Sequence, residues 1–118
     1  MPLNQLLQLL NETPSNVEFE QVIEVITELY TYTPTQFRNG VGPTEVINEA
    51  GTNEGSCKIF AFAQLHGLNE RQTLNCFGKY YREDVLKHPD ATDHGNIRNF
   101  ITSGWPGIQF DAPSLKAK

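Results

Sequence analysis

Clustered positive charge is what this chain most conspicuously lacks. Its 118 residues carry 9 Lys and Arg against 14 Asp and Glu, a net charge of -5, and no basic run occurs anywhere. Affinity for phosphate backbones needs grouped Lys and Arg, so nucleic acid is not an expected partner. Long hydrophobic runs are missing too. The longest uncharged apolar stretch, Ile59 to Leu65, is far short of the roughly 20 residues a membrane span needs. Cysteine is sparse: Cys57 and Cys76 match no zinc or CxxC spacing, and both are expected as reduced thiols. The Leu-rich start has no charged leader and is broken by Asn4, Gln5 and Gln8, so a secretory signal is not expected. No internal repeat, low-complexity tract or glycine-rich phosphate loop is present, and no cofactor is expected.

What is present reads mainly as helix. Leu3, Leu6, Leu7 and Leu10 recur at helical spacing and stop at Thr13-Pro14. Ser15 and Glu18 form an S-x-x-E capping box for a second helix, whose stripe is Phe19, Val22, Ile23, Ile26, Leu29 and Tyr30. Between 31 and 51 the composition turns to Thr, Gly and Pro. There Asn39-Gly40 separates two β-prone fragments, 35–38 and 44–47, as in a small irregular hairpin. A third helix is expected over 54–66, capped by Asn53 and closed by Gly67. Its residues Ile59, Phe60, Ala61, Phe62, Ala63 and Leu65 are apolar on nearly every face, which marks it as the central, buried helix. Asn69 and Gln72 open a longer helix with the stripe Leu74, Phe77, Tyr81 and Val85, ending near His88. Thr92 or Asp93 caps a last short helix carrying Ile97, Phe100 and Ile101, with Trp105 folded back onto it. Residues 107–110 are extended, a possible partner for 35–38, and 111–118 is a frayed polar tail. The expected architecture is therefore mainly α: a single compact domain over 1–110, about five helices around 54–66, with a minor irregular β-element.

The strings TPTQFRNG (33–40), NEAGTNEGSCKIFAFAQLHGL (48–68), TLNCFGKYYREDVL (73–86) and NIRNFITSGWPGIQF (96–110) together resemble the HopJ type III effector family. The resemblance covers about two thirds of the chain. It implies a bacterial protein of a family named for proteins that plant pathogens deliver into host cells. It implies no established activity and carries over no catalytic residue.

The residues themselves offer one catalytic arrangement. Cys57 falls in the first turn of the central helix, where free backbone amides and the helix dipole favour a thiolate. His66 is nine positions further along the same helix, about 13 Å away at 1.5 Å per residue, and cannot serve it. His88 ends a helix, whereas His94 stands in a polar loop with Asp93 and Asn96 beside it. Cys57 with His94, oriented by Asn96 or Asp93, would supply a cysteine-dependent hydrolase or acyltransferase. A buried, inert cysteine is the preferred reading, since free cysteine is among the most often buried residues. No set of Cys and His has metal-ligand spacing. The polar string Asn48, Glu49, Asn53, Glu54 and Ser56, beside Gly51 and Gly55, is not required by packing and is the expected binding surface, with Tyr32 as an aromatic neighbour. The function expected is a non-catalytic interaction or ligand-binding domain, for a protein or small molecule, in the bacterial cytoplasm.

Overall fold

A computed structural model describes residues 1–118. Helix α1 (Leu3–Glu12) lays Leu6 and Leu10 against the core. A 3-10 turn, Pro14–Asn16, reverses the chain into α2 (Phe19–Leu29), which buries Val22, Val25 and Ile26. The cap of α2 is Glu18, not Ser15: Gln21 Oε1 accepts the Glu18 N–H at 2.9 Å. Pro14 explains the shift, because its fixed φ suits the first position of the intervening turn.

Strand β1 (Tyr30–Tyr32) follows at once, then β2 (Phe37–Asn39) and β3 (Val46–Asn48) form a hairpin that lies further along than expected: Asn39 is paired with Val46 inside the ladder, and the connection is residues 40–45, with a 3-10 turn at Gly42–Thr44. The central helix α3 (Glu54–Leu65) buries Cys57 and every residue from Ile59 to Ala63. Leu65 departs from the expectation, being 55% exposed at the helix end. Helix α4 (Glu70–Asn75) carries the expected reciprocal cap, with Gln72 N–H donating to Asn69 Oδ1 at 2.7 Å and Asn69 N–H to Gln72 Oε1 at 2.9 Å.

The long helix expected from 69 to 88 does not exist as one piece. It breaks after α4 at Gly78, which stands at φ +58°, and resumes as a π-helical segment, Tyr80–Val85, with Leu86 N–H bonded to Tyr81 C=O. A Cβ at Gly78 would lie 2.7 Å from the Phe19 backbone nitrogen, so the break lets this segment pass over the start of α2. Arg82 reinforces the crossing by donating to the carbonyl oxygens of Val17 and Asn75. Helix α5 (Gly95–Ser103) begins after His94, not at Thr92 or Asp93. Trp105 packs edge-on against Phe100, ring centres 5.1 Å apart, and its indole N–H donates to Leu68 O at 3.0 Å.

The mainly α expectation is overturned. Helical segments hold 54% of the residues and strands 12%, and the strands make two antiparallel sheets, so the domain is α+β. One sheet has the order β3-β2-β4, where β4 (Gln109–Phe110) pairs Phe110 with Phe37 and Gln109 with Arg38. The other joins β1 to β5 (Leu115–Ala117), pairing Tyr32 with Leu115. Residues 111–118, expected to fray, are thus held down, with Ser114 and Leu115 both buried. These strands of two or three residues are too short to display an alternating pattern, and their partners lie far apart in sequence. One continuous apolar core runs from Leu6 to Leu115. No helix is long and apolar enough to cross a membrane.

Candidate functional site

Two helices begin at the same place in this fold. Asn53, before α3, stands at φ 49° and His94, before α5, at φ 53°, the only non-glycine residues of the chain with positive φ. Each left-handed residue turns the chain sharply into a helix, so the first turns of α3 and α5 meet. Gly55 and Ser56 from one and Gly95, Asn96 and Ile97 from the other line a cleft of about 340 Å³, closed on its remaining side by Phe19, Phe77 and Tyr80. Unpaired first-turn amides and two helix dipoles give this cleft hydrogen-bond donors and a partial positive charge.

Asparagine side chains hold the two helix starts together. Asn48 and Asn96 exchange amide bonds, Nδ2 to Oδ1, at 3.1 and 2.9 Å. Asn53 Nδ2 adds a bond to Asn48 Oδ1 at 2.7 Å, and Asn39 Nδ2 donates to both oxygens of Asn96 at 2.8 and 3.0 Å. Asn99 Nδ2 ties α5 to the hairpin through Thr44 O at 2.8 Å. Asn39 and Asn48 are buried, where an amide deprived of its partner costs roughly 1 to 3 kcal/mol, so these bonds hold the two helix starts in register, although Asn39 Oδ1 itself has no partner. Asn53 was expected as a helix cap, but its amide is spent on this clasp and makes no cap bond.

The clasp gathers most of the residues singled out in the sequence, but in different roles. Asn53, Ser56, His94 and Asn96 face the cleft, and Asn48 braces it from beneath. Glu49 and Glu54 are exposed, Glu49 past the end of β3 and Glu54 in the first turn of α3. Tyr32 belongs to another surface, beside Cys57 on the β1–β5 sheet, with Lys58 Nζ 4.7 Å above its ring. Burial and the neighbouring Glu54 carboxylate push its phenol well above the usual value of 10. Tyr80 closes the cleft, whereas Tyr30 is hydrogen-bonded to His66 Nε2 at 2.7 Å.

Cys57 and His94 face different neighbours. Cys57 is 1% exposed, its Sγ 3.3 Å from Ser114 Oγ and 3.7 Å from Thr35 O, and it does not line the cleft. His94 Nε2 lies 3.0 Å from Asp84 Oδ2 and 3.7 Å from Asp93 Oδ2, its ring tilted against Tyr80 at 5.4 Å. The Arg98 guanidinium, bonded to Asp93 at 2.8 Å, holds that exposed carboxyl below its usual range. No three His, Cys, Asp or Glu side chains are grouped to hold a metal ion.

Sequence reasoning missed Phe19, Phe77, Gly95 and Ile97 as cleft residues, and Asn39 and Asn99 as braces. One signal was available. Asn53-Glu54-Gly55 and His94-Gly95-Asn96 both put a residue tolerant of left-handed backbone and a glycine at a helix start, although nothing local says that the two starts meet.

Comparison with known proteins bears on the whole chain. Residues 3–115 match the family model described as HopJ type III effector protein. The crystal structure of a protein of unknown function, VPA0580, is 50% identical and superimposes with a TM-score of 0.94, the match covering all of this chain and 95% of that one. No curated protein matches the sequence.

Proposed function

The chain belongs to the HopJ type III effector protein family, and from that premise we propose that it is a non-catalytic ligand-binding domain whose site is the cleft between the starts of α3 and α5. The observation that carries this reading is the asparagine clasp, which holds two sets of first-turn amides rigidly toward one concavity. Rigid donors bind with little ordering cost. Phe19, Phe77 and Tyr80 supply an apolar wall, and the carboxylates of Asp84 and Asp93 stand beside His94. Such a lining suits a small polar molecule with an acceptor group for the amides and an apolar body for the aromatic wall; at about 340 Å³ the cleft lies near the small end of ligand sites.

The absence of catalysis in this reading is supported by the burial of Cys57, since a thiol removed from solvent reacts slowly. Two buried free thiols also fit a reducing compartment, and we place the protein in the bacterial cytosol on that ground. The test is a thermal-shift and NMR titration against a panel of small amino acids, carboxylates and neutral polar metabolites. A binder should perturb the amides of Gly55, Ser56, Gly95 and Asn96, and Ser56→Trp, which fills the cleft, should abolish its effect. A panel that leaves those amides unmoved sinks the ligand reading. Cys57 labelling in the folded protein as fast as in a short peptide would overturn the non-catalytic one and favour the hydrolase or acyltransferase.

A further inference from the structure

Strand β3 lies at the edge of its sheet, and the hydrogen-bond pattern shows which of its backbone groups are free. On the far side of β2, Asp111 N–H donates to Gln36 O and Gly40 N–H to Gly107 O, both at 3.1 Å. By the alternation of an antiparallel ladder, Arg38 also directs its backbone groups toward β4, so Phe37 and Asn39 direct theirs toward β3. Asn48 and Val46 therefore spend their backbone bonds on β2, and the N–H and C=O of Ile47 point outward.

The same edge is apolar. Ile47 is 53% exposed and Val46 43% exposed, an arrangement that sheet proteins ordinarily avoid because it invites strand addition. Its flanks are acidic: Glu45 and Glu49 are exposed and, two positions either side of Ile47, project to the same face. A second copy of this strand laid alongside antiparallel would put Glu45 against Glu49 at both ends, a repulsive pairing. Arg38, directly across from Ile47 on β2, shares this face, but it makes no ion pair with Glu45 or Glu49, so both carboxylates remain available to a partner.

We propose that the β3 edge is a docking edge for an extended segment of another protein, one carrying an apolar residue opposite Ile47 and basic residues two positions either side of it. Main-chain bonds at Ile47 hold the segment and set its register, and Glu45 and Glu49 select its charge. The surface is separate from the cleft, so the proposal stands or falls without the ligand reading.

The probe is the end-blocked peptide Thr-Lys-Thr-Val-Thr-Lys-Thr, with a second peptide bearing Glu in place of both Lys, each titrated into the isotope-labelled full chain at low salt. The lysine peptide should shift the amides of residues 45 to 49 and bind about tenfold more tightly than the glutamate peptide, from two opposite-charge pairs. Ile47→Pro removes the outward N–H together with the isoleucine side chain and spares the backbone bonds of Val46 and Asn48 to β2, a change an edge strand tolerates, and should abolish binding while the thermal midpoint stays close to wild type. Should that variant fail to fold, the pair Glu45→Lys and Glu49→Lys should invert the preference between the peptides. Equal affinity for the two peptides, shifts confined to other surfaces, binding that survives both sets of substitutions, or sedimentation showing the chain pairing with itself through β3 would each overturn the proposal.

Discussion

His66 shows how far one side chain can be read from its place in the sequence. Its nine-residue separation from Cys57 along the helix sets the two side chains apart, but nothing local reveals its partner, the Tyr30 hydroxyl at 2.7 Å, because that residue lies 36 positions earlier. Burial lowers the His66 pKa below 6.5, so the folded protein binds that proton less readily than the unfolded chain. The contribution to stability is therefore complete above about pH 6.5 and is lost as pH falls through the ordinary imidazole value toward the lowered folded one. Denaturant melts between pH 7.5 and 5 should show wild type losing stability more steeply than His66→Gln, and parallel losses would refute the assignment. Cys76 titrates in the opposite sense: burial pushes its thiol up to about 12, and the stability it lends is present below about pH 9 and lost above it. Asn53 was legible as a helix-start residue by type, yet its amide serves Asn48, because a left-handed Asn cannot also fold its side chain back onto the first turn. Local spacing specifies where such a residue sits. Its bonding is decided by groups that arrive from elsewhere in the chain.

At the scale of elements, legibility tracked length. The twelve residues of α3, apolar on nearly every side, announced themselves; the hairpin was legible in its existence and not in its register, because Asn39, taken for the turn, is paired with Val46 and the chain reverses over residues 40–45. The stripe Leu74, Phe77, Tyr81 and Val85 misled, since it is continuous in helical period across a point where the helix ends. Gly78 was the contrary signal. A glycine inside a helix costs about 1 kcal/mol relative to alanine and needs a reason, and here the reason is passage over Phe19 at positive φ. Gly78→Ala should therefore destabilise the protein by roughly 1 to 3 kcal/mol in urea denaturation, the cost of a strained left-handed residue. If alanine proves neutral or stabilising there, the segment tolerates a continuous helix and the close approach is not a constraint. The cleft depends on this break as well, because Phe77 and Tyr80, on either side of Gly78, both line it.

The molecule as a whole is closed by contacts that no single stretch of sequence could disclose. Its radius of gyration is 13.4 Å, close to the value of about 13.5 Å expected for a compact chain of this length, and part of that compactness comes from residues that read as a loose polar tail. Asp111 to Lys118 look frayed because the segment holds only one large apolar residue, Leu115. Leu115 is nevertheless buried, facing Tyr32 across the β1–β5 ladder, while Ser114 covers the Cys57 thiol and donates to Thr33 O at 3.3 Å. The strand thus covers the core beside Cys57, and its removal should open that side first. Leu115→Ala should cost about 2 kcal/mol, the low end for a buried leucine, because a two-stranded sheet at the surface can relax around the gap. The same substitution should quicken labelling of Cys57 through local opening of β5 and leave Cys76, shielded elsewhere, as slow as before. Amide exchange gives an independent reading: Ile59 to Ala63 should exchange only with global unfolding, residues 115 to 117 measurably sooner, yet slower than an unstructured peptide. A loss below about 0.5 kcal/mol, as for an ordinary surface change, with Cys57 no more reactive, would mean that β5 merely rests on the protein and that the core closes without it.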